Sequence, residues 1–279
     1  MYDSTENSTT PEGSTNPTTY SYRIHAFELY AFSISFLVGL PTHSYVVWLI
    51  VKGTGSGVAS GFFNLNLSFC EISSCLNSLF FVICTVYPFL TKLALFTQGF
   101  GITGRPLFQC LMCVERYLAV VHPVTFLKFK PLRYRVMCST VAWIITLGSC
   151  LCCLLILVSG NINVHAWFFS LQFILFFSIQ LFCLSAVLRV LKQSGPGERV
   201  REREEENHMK RRAFHLILIT TLNIVIIYVP ITISGFFTIM TKQYIPAIWF
   251  PALICFLLAG FVQPVLYLHR AGKLSCLCS

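Results

Sequence analysis

Charge is what this chain has least of: Asp, Glu, Lys and Arg make up 11% of its 279 residues, where a soluble domain carries about 25%. That scarcity, beside 55% hydrophobic residues, excludes an ordinary soluble protein and leaves a membrane protein as the fold class. Missing too is the apolar core of a cleavable signal peptide, because Met1 to His25 is rich in Ser, Thr, Asn and Pro. This polar stretch has no cysteine; the 13 cysteines fall almost entirely inside apolar runs, which excludes a secreted disulfide framework. Cys110 and Cys113 have C-x-x-C spacing but no second pair and no nearby His, so they are expected to pack rather than bind metal. The absence of Lys from Ile245 to Leu268 argues against a retinal pigment, which needs one for its Schiff base.

What the chain does contain is a series of apolar runs, each about the 20 residues that a bilayer requires of a helix. They lie at Ala26 to Val51, Phe62 to Val86, Leu93 to Val121, Val136 to Ser159, Ala166 to Leu191, Ala213 to Met240 and Ile245 to Leu268. Seven spans is the simplest count, although Gln98, Arg105, Pro106 and Gln109 dilute the third. Residues 1–25 cannot bury enough apolar surface to fold alone and are expected as a mobile tail; residues 26–268 form the membrane domain and 269–279 a short tail.

The net charge of +9 does not imply a nucleic-acid partner, because the basic residues sit on alternate loops. With seven spans, one side receives Lys52, Arg116, Lys128, Lys130, Arg133, Arg135, the cluster from Arg189 to Arg212, Arg270 and Lys273, and the other only Arg23, Lys92 and Lys242. Positive charge marks the cytoplasmic side, so the amino terminus is expected outside and the carboxyl terminus inside, in the plasma membrane. The sequon at Asn7 then lies outside and is a glycosylation candidate. The mixed-charge run Glu198 to Arg212 is expected to extend the fifth and sixth spans as solvated helix.

Seven helices do not specify a function. The third span, however, ends in VERYLAVVHPVTFLKFKPLRYR, Val114 to Arg135, whose ERY triplet and VVHP closely resemble the segment that class A, rhodopsin-like G-protein-coupled receptors carry there. The resemblance continues in order along most of the membrane region. NLSFCE (Asn66 to Glu71) looks like the second-helix NLxxxD, Trp143 like the fourth-helix tryptophan, YVP (Tyr228 to Pro230) like WLP, and QPVLY (Gln263 to Tyr267) like NPxxY. GLPTHSYVVW in the first span is similar to the GLPTN segment of receptors near the purinergic and protease-activated groups.

The resemblance implies a receptor rather than an enzyme, with no cofactor, passing the signal of an unidentified extracellular ligand to a heterotrimeric G protein. Glu115, Arg116 and Tyr117 would form the coupling edge, while Tyr228, Pro230, Gln263, Pro264 and Tyr267 would take part in the switch. After Tyr267, HRAGKLSCLCS is expected as a short amphipathic helix on the inner leaflet, with Cys276 and Cys278 as palmitoylation candidates. The disulfide that usually ties the third helix to the second outer loop has neither partner, since no Cys occurs from Leu90 to Gln109 or from Asn161 to His165. That loop is very short, so the outer mouth is expected without a hairpin lid.

Several positions depart from the family pattern together: His43 for Asn, Glu71 for Asp, Tyr228 for Trp, Gln263 for Asn, Leu184 for Tyr and Lys210 for an acidic residue. At 1.5 Å per residue, Glu71 and Arg105 both lie about 15 Å in from the cytoplasmic edge. An acid and a base at matched depth on neighbouring helices are expected to pair. In family members the Glu71 position commonly binds sodium, so Arg105 is expected to occupy that site, with His43, Gln109 and Gln263 completing the polar shell. Ligand candidates are Gln98, Gln172, Tyr228, Thr232 and Trp249, and the upper sixth and seventh spans hold no Arg or Lys except Lys242 at the rim. That argues against a nucleotide or carboxylate ligand held as relatives hold theirs. Two other functions remain open at this point. One is a non-signalling binding protein or decoy, suggested by Leu184 and Tyr228; the other is a transporter or channel using Glu71 and Arg105, which no inverted repeat supports.

Overall fold

The computed structural model describes residues 17–52, 61–129, 131–193, 200–241 and 245–270. Every regular element among them is helical: α1 (Pro17–Val51), α2 (Phe62–Cys84), a short turn Pro88–Leu90, α3 (Thr91–Gly99), a wide turn Phe100–Gly104, α4 (Arg105–Val121), α5 (Pro123–Phe129), α6 (Leu132–Val158), α7 (Ile162–Gln193), α8 (Val200–Thr241), α9 (Pro246–Ala259) and α10 (Val262–Arg270). Helix is what hydrocarbon demands, because it satisfies every backbone polar group within its own segment.

Six helical stretches are long and apolar enough to cross a membrane: Ala26–Val51, Phe62–Cys84, Leu132–Ile156, Asn163–Val190, Phe214–Thr241 and Ala247–Leu268. The expected third span is helical from Thr91 to Val121 through α3, the wide turn and α4, but it does not reach that apolar standard. Its position accounts for the difference. The six apolar stretches bury only 22–39% of their most hydrophobic windows, so most of each faces outward and must be apolar. Residues 101–106 and 108–110 are all buried, with α4 and the wide turn packed against α2, α6, α7 and α8. A helix surrounded by protein can carry Arg105 and Gln109 where a lipid-facing one cannot.

The amino-terminal expectation needs correction. α1 begins at Pro17, so residues 17–25, expected as tail, continue the first helix; proline suits a first helical turn because its missing N–H would have no partner there. At the other end α10 closes at Arg270, and the expected short helix with Cys276 and Cys278 lies outside the described residues, as does Asn7. Of the charged run, residues 200–212 open α8, while Glu198 and Arg199 lie outside the described residues.

Only residues 159–161 connect α6 to α7. Gly160 takes φ 68°, a left-handed value that glycine adopts without penalty. Asn161 Oδ1 then accepts the Val164 N–H at 3.3 Å to start α7. The connection leaves no room for a hairpin across that end of the bundle.

Backbone approach between α3 and α6 is close. A Cβ on Gly99 would lie 2.6 Å from the Cys150 Cα and 2.8 Å from its nitrogen, whereas one on Gly148, also on α6, meets nothing within 4 Å. Small residues permit this kind of contact between membrane helices. Gly99→Ala is expected to cost about 1–3 kcal/mol by overpacking, while Gly148→Ala leaves the melting temperature of the purified protein unchanged. Equal melting temperatures for the two variants would refute the contact.

Candidate functional site

The buried centre of the bundle is an ion pair. Arg105 and Glu71 are 3% and 1% exposed; Arg105 Nε donates to Glu71 Oε1 at 2.6 Å and Nη2 to Oε2 at 2.7 Å. This two-pronged geometry matches the guanidinium fork to the carboxylate. Arg105 Nη1 donates to the Phe256 carbonyl at 2.9 Å, and the guanidinium lies 4.6 Å from the centroid of the Phe256 ring.

The Phe256 carbonyl is available because α9 tightens at its end. The Gly260 N–H bonds Leu257 O at 3.2 Å, and the Phe261 N–H bonds Leu258 O at 3.0 Å, so the usual donor to Phe256 is diverted. Gly260 also lets the pair approach the backbone: a Cβ there would stand 3.2 Å from Arg105 Nη2 and 3.3 Å from Glu71 Oε2. Three helices, α2, α4 and α9, therefore meet at one guanidinium. The contribution of α9 was invisible in the sequence, since a backbone carbonyl carries no residue signature.

Of the residues expected around this pair, His43 lines a small cavity of about 20 Å³ with both ions. Its Nδ1 is buried without a hydrogen-bond partner. Gln109 and Gln263 instead line a separate cavity of about 70 Å³ together with Arg116, Tyr267, Asn64, Thr220 and Asn223. Gln263 Nε2 donates to Ser68 Oγ at 3.1 Å. The same Nε2 donates to the Asn64 carbonyl at 3.4 Å, which can only accept and so fixes the amide orientation, leaving Oε1 buried without a partner. Gln109 Oε1 and both polar atoms of Asn223 are likewise buried without partners. Asn223 was missed by sequence reasoning; an amide inside an apolar run was its only signal.

At the edge of this cavity the ERY segment divides. Arg116 and Tyr267 line it, while Glu115 Oε1 accepts from Arg135 Nη2 at the start of α6. Tyr117 and His122 are joined at 3.1 Å across the end of α4. Asn66 Oδ1 accepts the Trp143 indole N–H at 2.8 Å, tying α2 to α6.

The ligand candidates are dispersed. Gln172 Oε1 accepts from Thr103 at 2.8 Å, and Thr103 is also hydrogen-bonded to Ser149. The Trp249 indole N–H donates to Thr238 at 3.0 Å. Gln98 is half-buried on α3, and the Thr232 hydroxyl is buried without a partner. Tyr228 is 1% exposed, stacks on Phe173 with centroids 5.7 Å apart, and donates its hydroxyl to the Ile102 carbonyl. Pro106, which has no N–H to give to Ile102, leaves that carbonyl open, and the turn before it widens so that the Arg105 N–H reaches Phe100 O. Pro230 lies inside α8.

No family model matches the chain. It is 27% identical over 192 residues to chemokine XC receptor 1 of Homo sapiens, covering 61% of this chain and 56% of the receptor. It is 24% identical over 229 residues to hydroxycarboxylic acid receptor 2 of Rattus norvegicus, covering 71% and 59%, and 26% identical over 184 residues to chemokine XC receptor 1 of Mus musculus, covering 61% and 57%. The chain thus spans little more than half the length of the relatives it matches, and all three are class A receptors.

Proposed function

We propose that the chain is a rhodopsin-like receptor in the plasma membrane, amino terminus outside and carboxyl terminus inside. It couples an extracellular ligand to a heterotrimeric G protein by displacing the sixth span against the third. The stretch Thr91 to Val121 serves as the third of seven crossings. The observation that carries this is the placement of Arg116, on the ERY edge, in a cavity shared with Thr220 and Asn223 of α8 and Tyr267 of α10. Parting α4 from α8 opens that cavity to the cytoplasm, and two packed helices with discrete arrangements are what a conformational switch requires. The likeness to class A receptors supports the same reading. Guanine-nucleotide exchange on a panel of G proteins, in membranes carrying the chain or its Arg116→Ala variant, tests it. Exchange above background that Arg116→Ala removes is the expected result, and equal exchange for both counts against it.

Arg105 stands in for the sodium ion of related receptors, because both Glu71 oxygens are engaged by its guanidinium. Sodium titration is therefore expected to shift neither melting temperature nor ligand affinity beyond a matched potassium control. A sodium-specific shift would remove Arg105 from that role. The first-span GLPTHSYVVW segment suggests affinity with purinergic and protease-activated receptors. The absence of Arg and Lys from the upper sixth and seventh spans, Lys242 apart, disfavours a carboxylate ligand such as the name of the rat relative implies.

A non-signalling decoy is the second reading, favoured by the bond that ties Tyr228 of α8 to the Ile102 backbone and by Leu184, half-buried against the same apolar cluster as Tyr117. Exchange that stays at background for every G protein and ligand would support it.

A further inference from the structure

The wide turn Phe100–Gly104 is bound from three other helices through two consecutive residues. Ile102 accepts the Tyr228 hydroxyl of α8 on its carbonyl. Thr103 donates to Gln172 Oε1 of α7 at 2.8 Å and is hydrogen-bonded to Ser149 Oγ of α6. A threonine hydroxyl has one proton and the amide oxygen can only accept it, so Ser149 is the donor to Thr103. Ile102 and Thr103 are both buried, so these bonds have no water to replace them.

The bonds are not independent, because the Ile102 carbonyl and the Thr103 N–H belong to one rigid peptide plane. In a regular helix the N–H four residues on sets the direction of a carbonyl, but Pro106 has none to give. The neighbours do not hold the plane either: Gly101 and Gly104 flank it, and glycine restricts the backbone least. Packing demands glycine there, since a Cβ on Gly101 would lie 2.6 Å from the Phe256 ring and one on Gly104 2.9 Å from Cys70 Sγ. The restraint that remains is the side chain of Thr103. Its β-branched carbon is stiff, and its hydroxyl is fastened to two helices.

We propose that Thr103 is a positioning residue: anchored by Ser149 and Gln172, it holds the Ile102–Thr103 peptide with its carbonyl toward Tyr228, and so sets how firmly α8 is tied to the wide turn. Gln172 thereby gives α7 a hold on α8. A ligand whose hydrogen-bond donor takes Gln172 Oε1 from Thr103 frees the plane and loosens Tyr228. That last step, and any effect on nucleotide exchange, rests on the receptor reading; the control of Tyr228 by Thr103 does not.

Cys113 provides a readout that needs no G protein. It is 2% exposed and its Sγ lies 3.1 Å from Thr220 Oγ1 on α8, so its alkylation measures how often α4 and α8 separate. The rate is followed with N-ethylmaleimide on the full chain, the adduct being located by peptide mass spectrometry. T103V is expected to speed Cys113 alkylation about fivefold, as the loss of one buried hydrogen bond implies, and Y228F to do the same. T103V/Y228F is expected to match Y228F alone, because the carbonyl that T103V misdirects then has no hydroxyl to hold. T103S, which keeps the hydroxyl, stays near the wild-type rate. Q172L removes one of the two anchors and gives a smaller acceleration with the same dependence on Tyr228, which keeps the test open if T103V does not fold. A merely structural Thr103 loosens the bundle whether or not Tyr228 has its hydroxyl. Equal acceleration by T103V or Q172L in the wild-type and Y228F backgrounds, or none in either, therefore overturns the proposal. If wild-type nucleotide exchange does not exceed that of Arg116→Ala, the receptor reading has failed, while the alkylation rates still decide the role of Thr103.

Discussion

Glu71→Ala is expected to destabilise the purified protein by about 3–5 kcal/mol, the largest effect expected of any single truncation in the bundle. The variant leaves a guanidinium that is 3% exposed facing the Phe256 carbonyl without its carboxylate. One neutral oxygen does not offset the desolvation of a full charge. Removing both ions is predicted to behave differently. Glu71→Leu combined with Arg105→Met replaces the pair by apolar groups of similar length, a change that is often neutral or stabilising in buried pairs. Thermal melting of the two single variants and the double variant in one detergent measures the coupling. Additive losses would mean that the two side chains act independently, and the junction of α2, α4 and α9 would lose its physical basis.

Tyr228→Phe is the second large effect. The phenyl ring keeps the stack on Phe173, so the only loss is the hydroxyl donated to Ile102 O. A buried carbonyl left unpaired costs about 1–3 kcal/mol, and here the next turn cannot repair it, because Pro106 has no N–H. Since the bond joins α8 to the wide turn ahead of α4, its removal is expected to lower the melting temperature and, on the proposed receptor reading, to raise basal nucleotide exchange. Pro106→Ala provides the internal control: it returns an N–H to the α4 ladder, and in that background Tyr228→Phe is expected to be nearly silent. A Tyr228→Phe variant as stable as the parent chain, or one equally harmful in the Pro106→Ala background, would show that the carbonyl has another donor.

These two expectations differ in how they could be reached. The Glu71–Arg105 pairing follows from depth alone, because an intramembrane acid and base at one level have few alternatives to each other. The bond from Tyr228 does not follow from any pattern. Its acceptor is a backbone carbonyl made available by a proline four residues later, and no side-chain motif records that. The Phe256 carbonyl and the tightened turn at Gly260 are of the same kind. Gln109 and Gln263 show the reverse difficulty: their residue types suit the ion pair, but rotation about their own helices places them in the cavity beside Arg116 instead. Depth is legible from residue counts; azimuth depends on how every helix packs against its neighbours.

The sequence by itself determined that the chain is helical and membrane-embedded, because hydrocarbon admits few other ways to satisfy a backbone. It also determined that Glu71 and Arg105 share a depth, that the α6–α7 connection is too short for a lid, and that basic residues favour one side. Only the tertiary structure decided that the least apolar stretch, Thr91 to Val121, packs among α2, α6, α7 and α8, that Glu115 turns to Arg135, and that freed carbonyls at Ile102 and Phe256 bind Tyr228 of α8 and the ion pair. Hydropathy and spacing act along the chain, whereas these contacts depend on which faces of separate helices meet.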